Sequence, residues 1–512
     1  DMAPAAGPWF VFADARGLGA ELAGCLRARG DHCIVVEQGE EFVKIDAGHY
    51  QLNPLRAQEF ARLFGELTIG RVVYLWGLDS ELEGLQSEEQ IRTAERLNGS
   101  AVLYVVQALA QSIQEQLPRL AIITRGAQRV SDGDQVVQAQ QRLQWGLGQT
   151  VVREYPEWSC QLVDLDPADR TGDVDQLVGA LTLDFADQRL AYRSGEAYGA
   201  RLTRLLGNPA KEPFVARNDG AYLVAGGLGG LGLKMATWLV ERGAGQVVLV
   251  GRSAPSAAAN SVLEKWREGG ANIRSVAADI ARRDDVERVL LSIAESGYSL
   301  RGIVQAAGVL DDGLLRGQDE QRLMRVLAPK VSGTWNLHAQ TRDIELDFFT
   351  CFSSSTALLG ASGQGAYAAA NAFMDALMQE RHRGGLPGLS INWGPWGEVG
   401  MAAGLADRDR ARLEEQGWGS IAPAEGLSIL ENLLGDDRVS QIAVLPVDWT
   451  LFLQRVAGAR EDPFLASLIP ALSPGKLAEP TSAAVLIEIA ALPVARQRDG
   501  LLKYVRDQIV HV

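Results

Sequence analysis

The stretch AYLVAGGLGGLG, residues 221–232, decides the fold of the second half of the chain. An apolar, strand-like run ends in Gly227, Gly229 and Gly232, spaced as G-x-G-x-x-G, and a helix-like segment, LKMATWLVERG, follows at once. Glycine is needed where a backbone turns sharply and lies against a pyrophosphate, whose charge a helix N-terminus favours. Strand, turn and helix in this order predict a dinucleotide-binding site.

The next strand-like run indicates which dinucleotide binds. VVLVGRS (247–253) ends in Arg252 and Ser253, at the place where an acidic residue would hold a free ribose hydroxyl. A guanidinium there suits a 2′-phosphate, because it can donate two parallel hydrogen bonds. The sequence favours NADP over NAD, the alternative being that Arg252 is an ordinary surface arginine.

Strand-like runs alternate with helical stretches along both halves, which is typical of a parallel sheet covered by helices. We therefore predict an α/β protein with two Rossmann-like, doubly wound subdomains, of which the second binds the dinucleotide. The candidate strands of the first half are 9–14, 32–38, 71–78, 121–127 and 160–166, with a hairpin at 190–202 that turns at Ser194-Gly195. Those of the second half are 221–227, 247–253, 273–279, 301–308, 348–354, 388–394 and 441–448.

Four segments follow from this alternation. Residues 1–206 are predicted to form a structural subdomain, and residues 221–470 a catalytic one. The polar segment 207–220, which two prolines interrupt, is predicted to be the linker between them. Residues 471–512 are predicted to form a second linker and the incomplete start of a following domain, so the chain reads as a segment of a longer one.

The first half contains an altered version of the glycine turn. In WFVFADARGLGAEL, Gly17 and Gly19 resemble the turn of the second half. Asp14 and Arg16, however, bring bulky side chains into this first-half turn. No complete glycine-rich cradle is present there. We expect this half to have a structural role without a cofactor.

Composition and charge argue against several classes of function. The net charge of −15, with no basic stripe, argues against nucleic acid as a partner. The sequence has no signal peptide and no apolar run long enough to span a bilayer, so a cytoplasmic protein is expected. A metal site is not expected, because the five histidines are scattered and the cysteines lack metal-like spacing. The cysteines, predicted to be reduced and mostly buried, are Cys25, Cys33, Cys160 and Cys351.

Candidate catalytic residues lie in the second half. In GASGQGAYAAANAF (360–373), Tyr367 and Asn371 are four residues apart on a predicted helix and share a face. Ser354 ends the strand-like run FFTCFSS, thirteen residues before the tyrosine, which is the interval that short-chain dehydrogenases use. Those reductases carry a lysine where this chain has Asn371.

Several ordered stretches resemble the ketoreductases of modular type I polyketide synthases, within the short-chain dehydrogenase/reductase superfamily. The second half is similar to their catalytic subdomain and the first to their structural subdomain, over about residues 9–455. The stretches that carry the resemblance are QAAGVLDDGLL (305–315), LAPKVSGTWNLH (327–338), FSSSTALLGASGQGAYAAANAF (352–373) and INWGPWGEVGM (391–401). The family supplies its lysine from the preceding helix, so the resemblance assigns the missing lysine to Lys330.

The resemblance implies reduction, with NADPH, of a β-ketoacyl chain carried on the phosphopantetheine arm of an acyl carrier protein in the same synthase. Tyr367 is expected to donate the proton, and Lys330 to lower the phenol pKa and hold the cofactor ribose. Ser354 is expected to bind the developing oxyanion, and Asn371 to relay protons or order a water. Besides the glycines, Arg252, Ser253, Lys330 and Tyr367, the implied cofactor contacts are Leu231, Asp279, Ala307 and Gly308.

The resemblance also carries expectations about stereochemistry. Leu310, Asp311 and Asp312 resemble the B-type fingerprint, which is associated with a D-configured 3-hydroxyl. The A-type tryptophan position is Leu359 here, whereas the proline and asparagine that often accompany the B-type are replaced by Ser362 and Ala366. Gln364, Met401 and a lid at 397–418 are the further expected substrate elements.

Two other functions stay open on the sequence alone. A free-standing alcohol dehydrogenase acting on a diffusible ketone would not need the long first half. A catalytically silent scaffold would be expected to show damage at Tyr367, Ser354, Lys330 or the glycine turn, and the sequence shows none.

Overall fold

A computed structural model describes residues 7–80, 87–112, 117–131, 134, 138–182, 187–205, 214–401, 406–434 and 438–471. The chain forms two compact units, of which the first is Asp1–Ala466 and the second begins at Ser467. Both sheets lie in the first unit. Half of the predicted linker 207–220, namely residues 207–213, and the predicted start of a further domain after residue 471 lie outside the described residues.

The first half forms a nine-stranded sheet in the order β3-β4-β2-β1-β5-β6-β7-β8-β9. The strands are β1 Trp9–Phe12, β2 Cys33–Gln38, β3 Val43–Asp46, β4 His49–Leu52, β5 Arg71–Tyr74, β6 Arg119–Arg125, β7 Gln161–Leu165, β8 Arg189–Arg193 and β9 Glu196–Gly199. The five predicted strands and the hairpin are confirmed. β3 and β4 were not predicted; β4 runs parallel to β2, and β3 pairs antiparallel with β4 at the edge.

The second half forms a seven-stranded, fully parallel sheet in the order β12-β11-β10-β13-β14-β15-β16. Its strands are β10 Gly220–Ala225, β11 Gln246–Gly251, β12 Ile273–Ala277, β13 Ser299–Gln305, β14 Phe348–Ser354, β15 Leu389–Trp393 and β16 Gln441–Val444. All seven were predicted. Every residue of β10 and of β14 is buried, as in a parallel sheet covered on both faces.

Helices cover both sheets. Those of the first half are α1 Leu18–Ala28, α2 Ala57–Glu66, α3 Glu88–Glu95, α4 Ala101–Gln111, α5 Arg142–Glu154 and α6 Asp173–Thr182. Those of the second half are α7 Gly230–Glu241, α8 Ala257–Glu268, α9 Arg283–Ala294, α10 Glu320–Lys330, α11 Ser332–Ala339, α12 Thr356–Leu359, α13 Gly365–Arg383, α14 Asp407–Glu415, α15 Pro423–Leu434 and α16 Trp449–Arg455.

The two halves meet through α5 and α13. A Cβ atom placed on Gly146 of α5 would lie 2.4 Å from the Cα of Ala369 on α13, so the two helix backbones are in direct contact. Leu147 of α5 and Phe373 of α13 belong to one continuous buried core that extends through both halves. The first half therefore supports the helix that carries Tyr367 and Asn371.

Three of the four cysteines, Cys33, Cys160 and Cys351, are buried free thiols, and Cys25 is exposed. Within the described ranges, no helix combines the length and apolar character needed to cross a membrane.

Candidate active site

The predicted glycine turn connects β10 to α7. A Cβ on Gly232 would lie 2.3 Å from the carbonyl oxygen of Gly226, and one on Gly227 would lie 2.7 Å from that of Val224. Any larger residue at these two positions would displace the backbone. Gly229 is the N-cap of α7, and no side chain caps the helix there. The turn is thus a bare backbone cradle at a helix N-terminus, which fits the pyrophosphate of a dinucleotide.

The other expected cofactor residues in this region lie on α7 and beyond the ends of β11 and β12. Arg252 and Ser253 follow β11 directly and are exposed, and in the described part of the chain Arg252 makes no ion pair. Asp279 lies just beyond β12, where its side chain accepts a hydrogen bond from the backbone N–H of Ala281 at 3.0 Å. Leu231, on α7, is half-buried and packs against the core beneath the turn.

Ala307 and Gly308 follow β13 beside the turn. The loop is fixed by the buried Gln305, whose amide accepts from the N–H of Ala307 at 3.0 Å and donates to the carbonyl of Pro329 at 2.6 Å. A Cβ on Gly308 would lie 2.8 Å from Cε of Lys330, so glycine leaves the space that the lysine side chain fills.

Lys330 and Tyr367 converge from different helices. Lys330 ends α10 and is 2% exposed. Its Nζ donates to the carbonyl oxygen of Phe352 on β14 at 3.0 Å and lies 5.3 Å from the centroid of the Tyr367 ring. Amine and phenol therefore share one site at the carboxyl ends of β13 and β14.

Burial shapes the protonation of both groups. It lowers the pKa of the Lys330 ammonium to about 8, against the opposing influence of Cys351 and Asp375. It raises the pKa of the Tyr367 phenol to about 12, with the Asn371 side chain opposing and the charge of Asp312 adding to the rise. Burial therefore outweighs any lowering of the phenol pKa by nearby groups, and the role of Lys330 in lowering it stays a prediction. The phenol holds its proton at neutral pH and can donate it.

Ser354 and Asn371 complete the set. Ser354 is the last residue of β14, and its Oγ accepts from the backbone N–H of Thr356 at 3.2 Å. Asn371 is fully buried one turn after Tyr367, and its Nδ2 donates to the tyrosine carbonyl at 2.8 Å. Its Oδ1 has no hydrogen-bond partner in the described structure, so this oxygen remains available as an acceptor.

The predicted stereocontrol residues lie on two neighbouring loops. Asp311 forms ion pairs with Arg322 and Arg325, both at 2.7 Å, and therefore anchors the loop to α10. Asp312 instead accepts a 2.8 Å hydrogen bond from Nε2 of Gln364, three residues before Tyr367. Leu310, between Gly308 and these aspartates, is partly exposed.

The remaining predicted substrate residues differ in accessibility. Leu359, at the end of α12, is 3% exposed. Met401 is 38% exposed, and its Cε would lie 3.1 Å from a Cβ on Gly308, next to the lysine side chain. The predicted lid includes α14, which buries no residue, while residues 402–405 of that lid lie outside the described ranges.

The sequence interpretation missed the buried network behind these residues. Asp375 accepts from the Ser390 hydroxyl at 2.6 Å and from Nδ2 of Asn392 at 2.8 Å. The same Nδ2 donates to Oγ of Ser353 and to the carbonyl of Ser354. Asp375 lies eight residues after Tyr367 and four after Asn371, and this helical spacing could have revealed it.

Comparisons with known proteins bear on each half. Residues 220–398 match the family described as KR domain, and residues 48–202 match the Rossmann fold domain of the polyketide synthase extender module SpnB. The chain is 34% identical over 533 residues to polyketide synthase GfsB of Streptomyces halstedii. That alignment covers 100% of this chain but 9% of the relative, so the chain spans less than a tenth of that synthase.

Two solved structures match this chain in fold and over most of its length. The structure of an A1-type ketoreductase matches with 27% identity and a TM-score of 0.77, covering 92% of this chain and 96% of that one. The first ketoreductase of the tylosin polyketide synthase matches with 28% identity and a TM-score of 0.73, covering 92% and 97%.

Proposed function

This chain belongs to the ketoreductases of modular polyketide synthases, and we propose that it reduces a carrier-protein-bound β-ketoacyl thioester to the β-hydroxyacyl thioester with NADPH, giving the D-hydroxyl. The observation that carries the proposal is the convergence of Lys330 and Tyr367. Nζ of Lys330 lies 5.3 Å from the centroid of the phenol ring and beside the Gly308 backbone, and the preceding residue, Ala307, lies against Gly226 of the glycine turn.

The residues of this site can supply everything except the hydride, which bound NADPH would donate to the ketone carbon. As the carbonyl oxygen gains negative charge, the Tyr367 hydroxyl donates its proton to it, and the product is the neutral alcohol. The Ser354 hydroxyl, at the strand end, donates a hydrogen bond to the same oxygen and stabilises its charge.

Lys330 and Asn371 serve the phenol. The Lys330 ammonium stabilises the phenolate that forms when Tyr367 gives up its proton, and its remaining N–H groups would hold the ribose of a bound nicotinamide cofactor. The unpartnered Oδ1 of the buried Asn371 can order a water that returns a proton to the phenolate.

NADPH, rather than NADH, is proposed on the basis of Arg252 and Ser253. Both are exposed directly beyond β11, the strand next to the glycine turn. A guanidinium with no ion pair among the described residues is free to bind a 2′-phosphate with two hydrogen bonds. An aspartate or glutamate, which would select NADH, is absent from this strand end.

The D-hydroxyl is proposed on the basis of the loop after β13. Asp312 is hydrogen-bonded to Gln364 on the segment that enters α13, so this loop borders the phenol site. Leu359 occupies the A-type tryptophan position and is buried, which leaves no tryptophan to direct the substrate from the other side. The carrier protein and other domains of the same synthase are the proposed partners, with residues 1–206 as structural and 221–470 as catalytic subdomain.

Chiral analysis tests the proposal. A 2-methyl-3-ketoacyl thioester is incubated with the protein and either NADPH or NADH, and the hydroxy product is resolved by chiral chromatography. We expect turnover with NADPH and a D-hydroxyl. An L-hydroxyl would refute the B-type assignment, and an absence of both turnover and NADPH binding would favour a silent scaffold.

A further inference from the structure

Glu154, the last residue of α5 in the first half, reaches two separate loops of the second half. One carboxylate oxygen accepts the backbone N–H of Leu315 at 2.8 Å, and the other accepts that of Gly363, also at 2.8 Å. Leu315 lies on loop 309–317, after β13, and Gly363 on loop 360–364, before α13. A single side chain therefore spans both loops with charge-assisted hydrogen bonds.

The two loops also bind each other. The backbone N–H of Gly313 donates to the carbonyl of Gly363 at 2.8 Å, and Gln364 donates to Asp312 as described. These loops carry Leu310, Asp311, Asp312 and Gln364, the predicted stereocontrol residues. The second loop leads directly into Tyr367, so any shift of one loop against the other moves the substrate relative to the proton donor.

Further side chains of the first half hold the same region. Gln107 on α4 donates to the carbonyls of Leu315 at 2.9 Å and Gln318 at 2.6 Å. Arg153 on α5 donates to the carbonyl of Leu359 at 2.8 Å. The first half thus holds loop 309–317 and the segment that leads into α13 through side chains that bond to backbone groups of these loops.

We propose that Glu154 is a positioning residue through which the first half fixes the two stereocontrol loops and thereby the face of the ketone that is reduced. This inference rests on the proposed function. It extends the role of the first half from support of the fold to control of the product.

The substitution Glu154→Gln tests the two hydrogen bonds while keeping the size of the side chain. A carboxamide of the same size has one acceptor oxygen, and its NH2 group would face the N–H of the second loop, so one loop is released. Glu154→Asp is a second variant, which keeps the charge but is one methylene too short to reach both loops. Glu157→Gln, on the exposed turn after α5, is the matched control.

Each variant is assayed with the 2-methyl-3-ketoacyl thioester and NADPH, and the hydroxy diastereomers are quantified. Hydrogen exchange is measured in parallel over residues 309–317 and 360–364. For both Glu154 variants we expect about a tenfold rise in the minor diastereomer, from the cost of one unpaired amide. We also expect faster exchange in both loops, an unchanged NADPH Kd, and wild-type behaviour for Glu157→Gln.

An unchanged diastereomer ratio in folded Glu154 variants would overturn the proposal, even with faster exchange. If the wild-type protein forms no product, the proposed function fails independently, and hydrogen exchange alone decides whether Glu154 positions the loops. In that case unchanged exchange in both variants would overturn this role, and faster exchange in both loops would support it.

Discussion

After β1 the chain enters α1 through A-D-A-R-G-L-G, residues 13–19, and after β10 it enters α7 through G-G-L-G-G-L-G, residues 226–232. Aligned on their strand ends, the two turns share the final G-L-G. A Cβ on Gly19 would lie 2.6 Å from Cα of Ala13, and one on Gly232 would lie 2.6 Å from Cα of Gly227. Both halves have therefore kept the glycine that lets the helix pack on its strand.

The other two motif glycines have diverged. In the first half they are replaced by Asp14 and Arg16, and Asp14 accepts the N–H of Gly19 at 2.7 Å and that of Arg16 at 3.2 Å. Asp79 accepts the N–H of Ala15 at 2.8 Å. Carboxylates of the protein thus take the place at the helix N-terminus that an anion would occupy, whereas no side chain among the described residues caps the N-terminus of α7. The first turn carries its own anions, and the second is left open for a ligand.

The largest effect should come from removing the phenol of the second half. Tyr367→Phe keeps the ring that Lys330 contacts but removes the proton donor, so kcat for ketone reduction should fall about 10³-fold. The NADPH Kd, measured by fluorescence titration, should stay within about twofold, since the phenol adds one hydrogen bond at most. Tyr198→Phe, an exposed tyrosine of the first half, should change neither quantity. Full activity in Tyr367→Phe would refute the proton-donor assignment.

The next effect tests the comparison directly, by giving the second turn a carboxylate. Gly229 is an N-cap with φ of −80° and room for a side chain, so Gly229→Asp should fold and even cap α7. Its charge would face the pyrophosphate, and the NADPH Kd should rise about 100-fold.

Gly229→Asn is the isosteric control for that experiment. It keeps the cap without the charge, and its Kd should lie much closer to that of the wild type. Asp14→Asn in the first turn should leave the NADPH Kd unchanged. Equal Kd values for Gly229→Asp and Gly229→Asn would contradict the view that the open N-terminus is an anion site.

A smaller effect concerns the strand beside each turn. The first half ends β2 in Gln38, which donates to Asp79 and so closes its own turn, while the second half places the exposed Arg252 beyond β11. Arg252→Ala should lower the preference for NADPH over NADH about tenfold. The substitution removes charge-assisted hydrogen bonds to the 2′-phosphate, a group that only NADPH carries. Affinities for both dinucleotides are compared with those of Arg29→Ala in the first half. An unchanged preference would remove the basis for assigning NADPH.

Much of this architecture could be predicted from local patterns. All seven strands of the second sheet are apolar runs beside turn residues, and each was found. β3 and β4 were not, because β3 is exposed along its whole length and β4 buries only alternate residues, Tyr50 and Leu52, so neither forms a continuous apolar run.

The active-site residues also fall into those that local sequence patterns predict and those that they do not. The glycine turn and the Tyr367–Asn371 spacing are local, whereas Lys330 was assigned only through family resemblance, since an isolated helix lysine carries no signal. Glu154 could not be predicted at all, because its two partners lie 161 and 209 residues further along the chain. The raised pKa of Tyr367 depends on burial by elements that only the fold brings together.

The smallest effect concerns the pH dependence of the first turn. Burial raises the pKa of Asp79 from its ordinary 3.8 to about 6, and the charge of Asp14 adds to this, against the hydrogen bond from Ala15. A carboxyl whose pKa is raised on folding stabilises the fold fully below its unfolded pKa, and this contribution is lost as the pH rises through about 6. Asparagine cannot ionise at this position. The free energy of unfolding of Asp79→Asn should therefore rise relative to that of the wild type by about 1–2 kcal/mol between pH 4 and pH 7.5. Thermal midpoints measured across that range, with Asp175→Asn as an exposed control, should show the difference growing with pH while the NADPH Kd stays constant. A difference that does not change with pH would mean that folding does not raise the pKa of Asp79, and that the carboxylate of this residue stays charged in the first turn over the whole range.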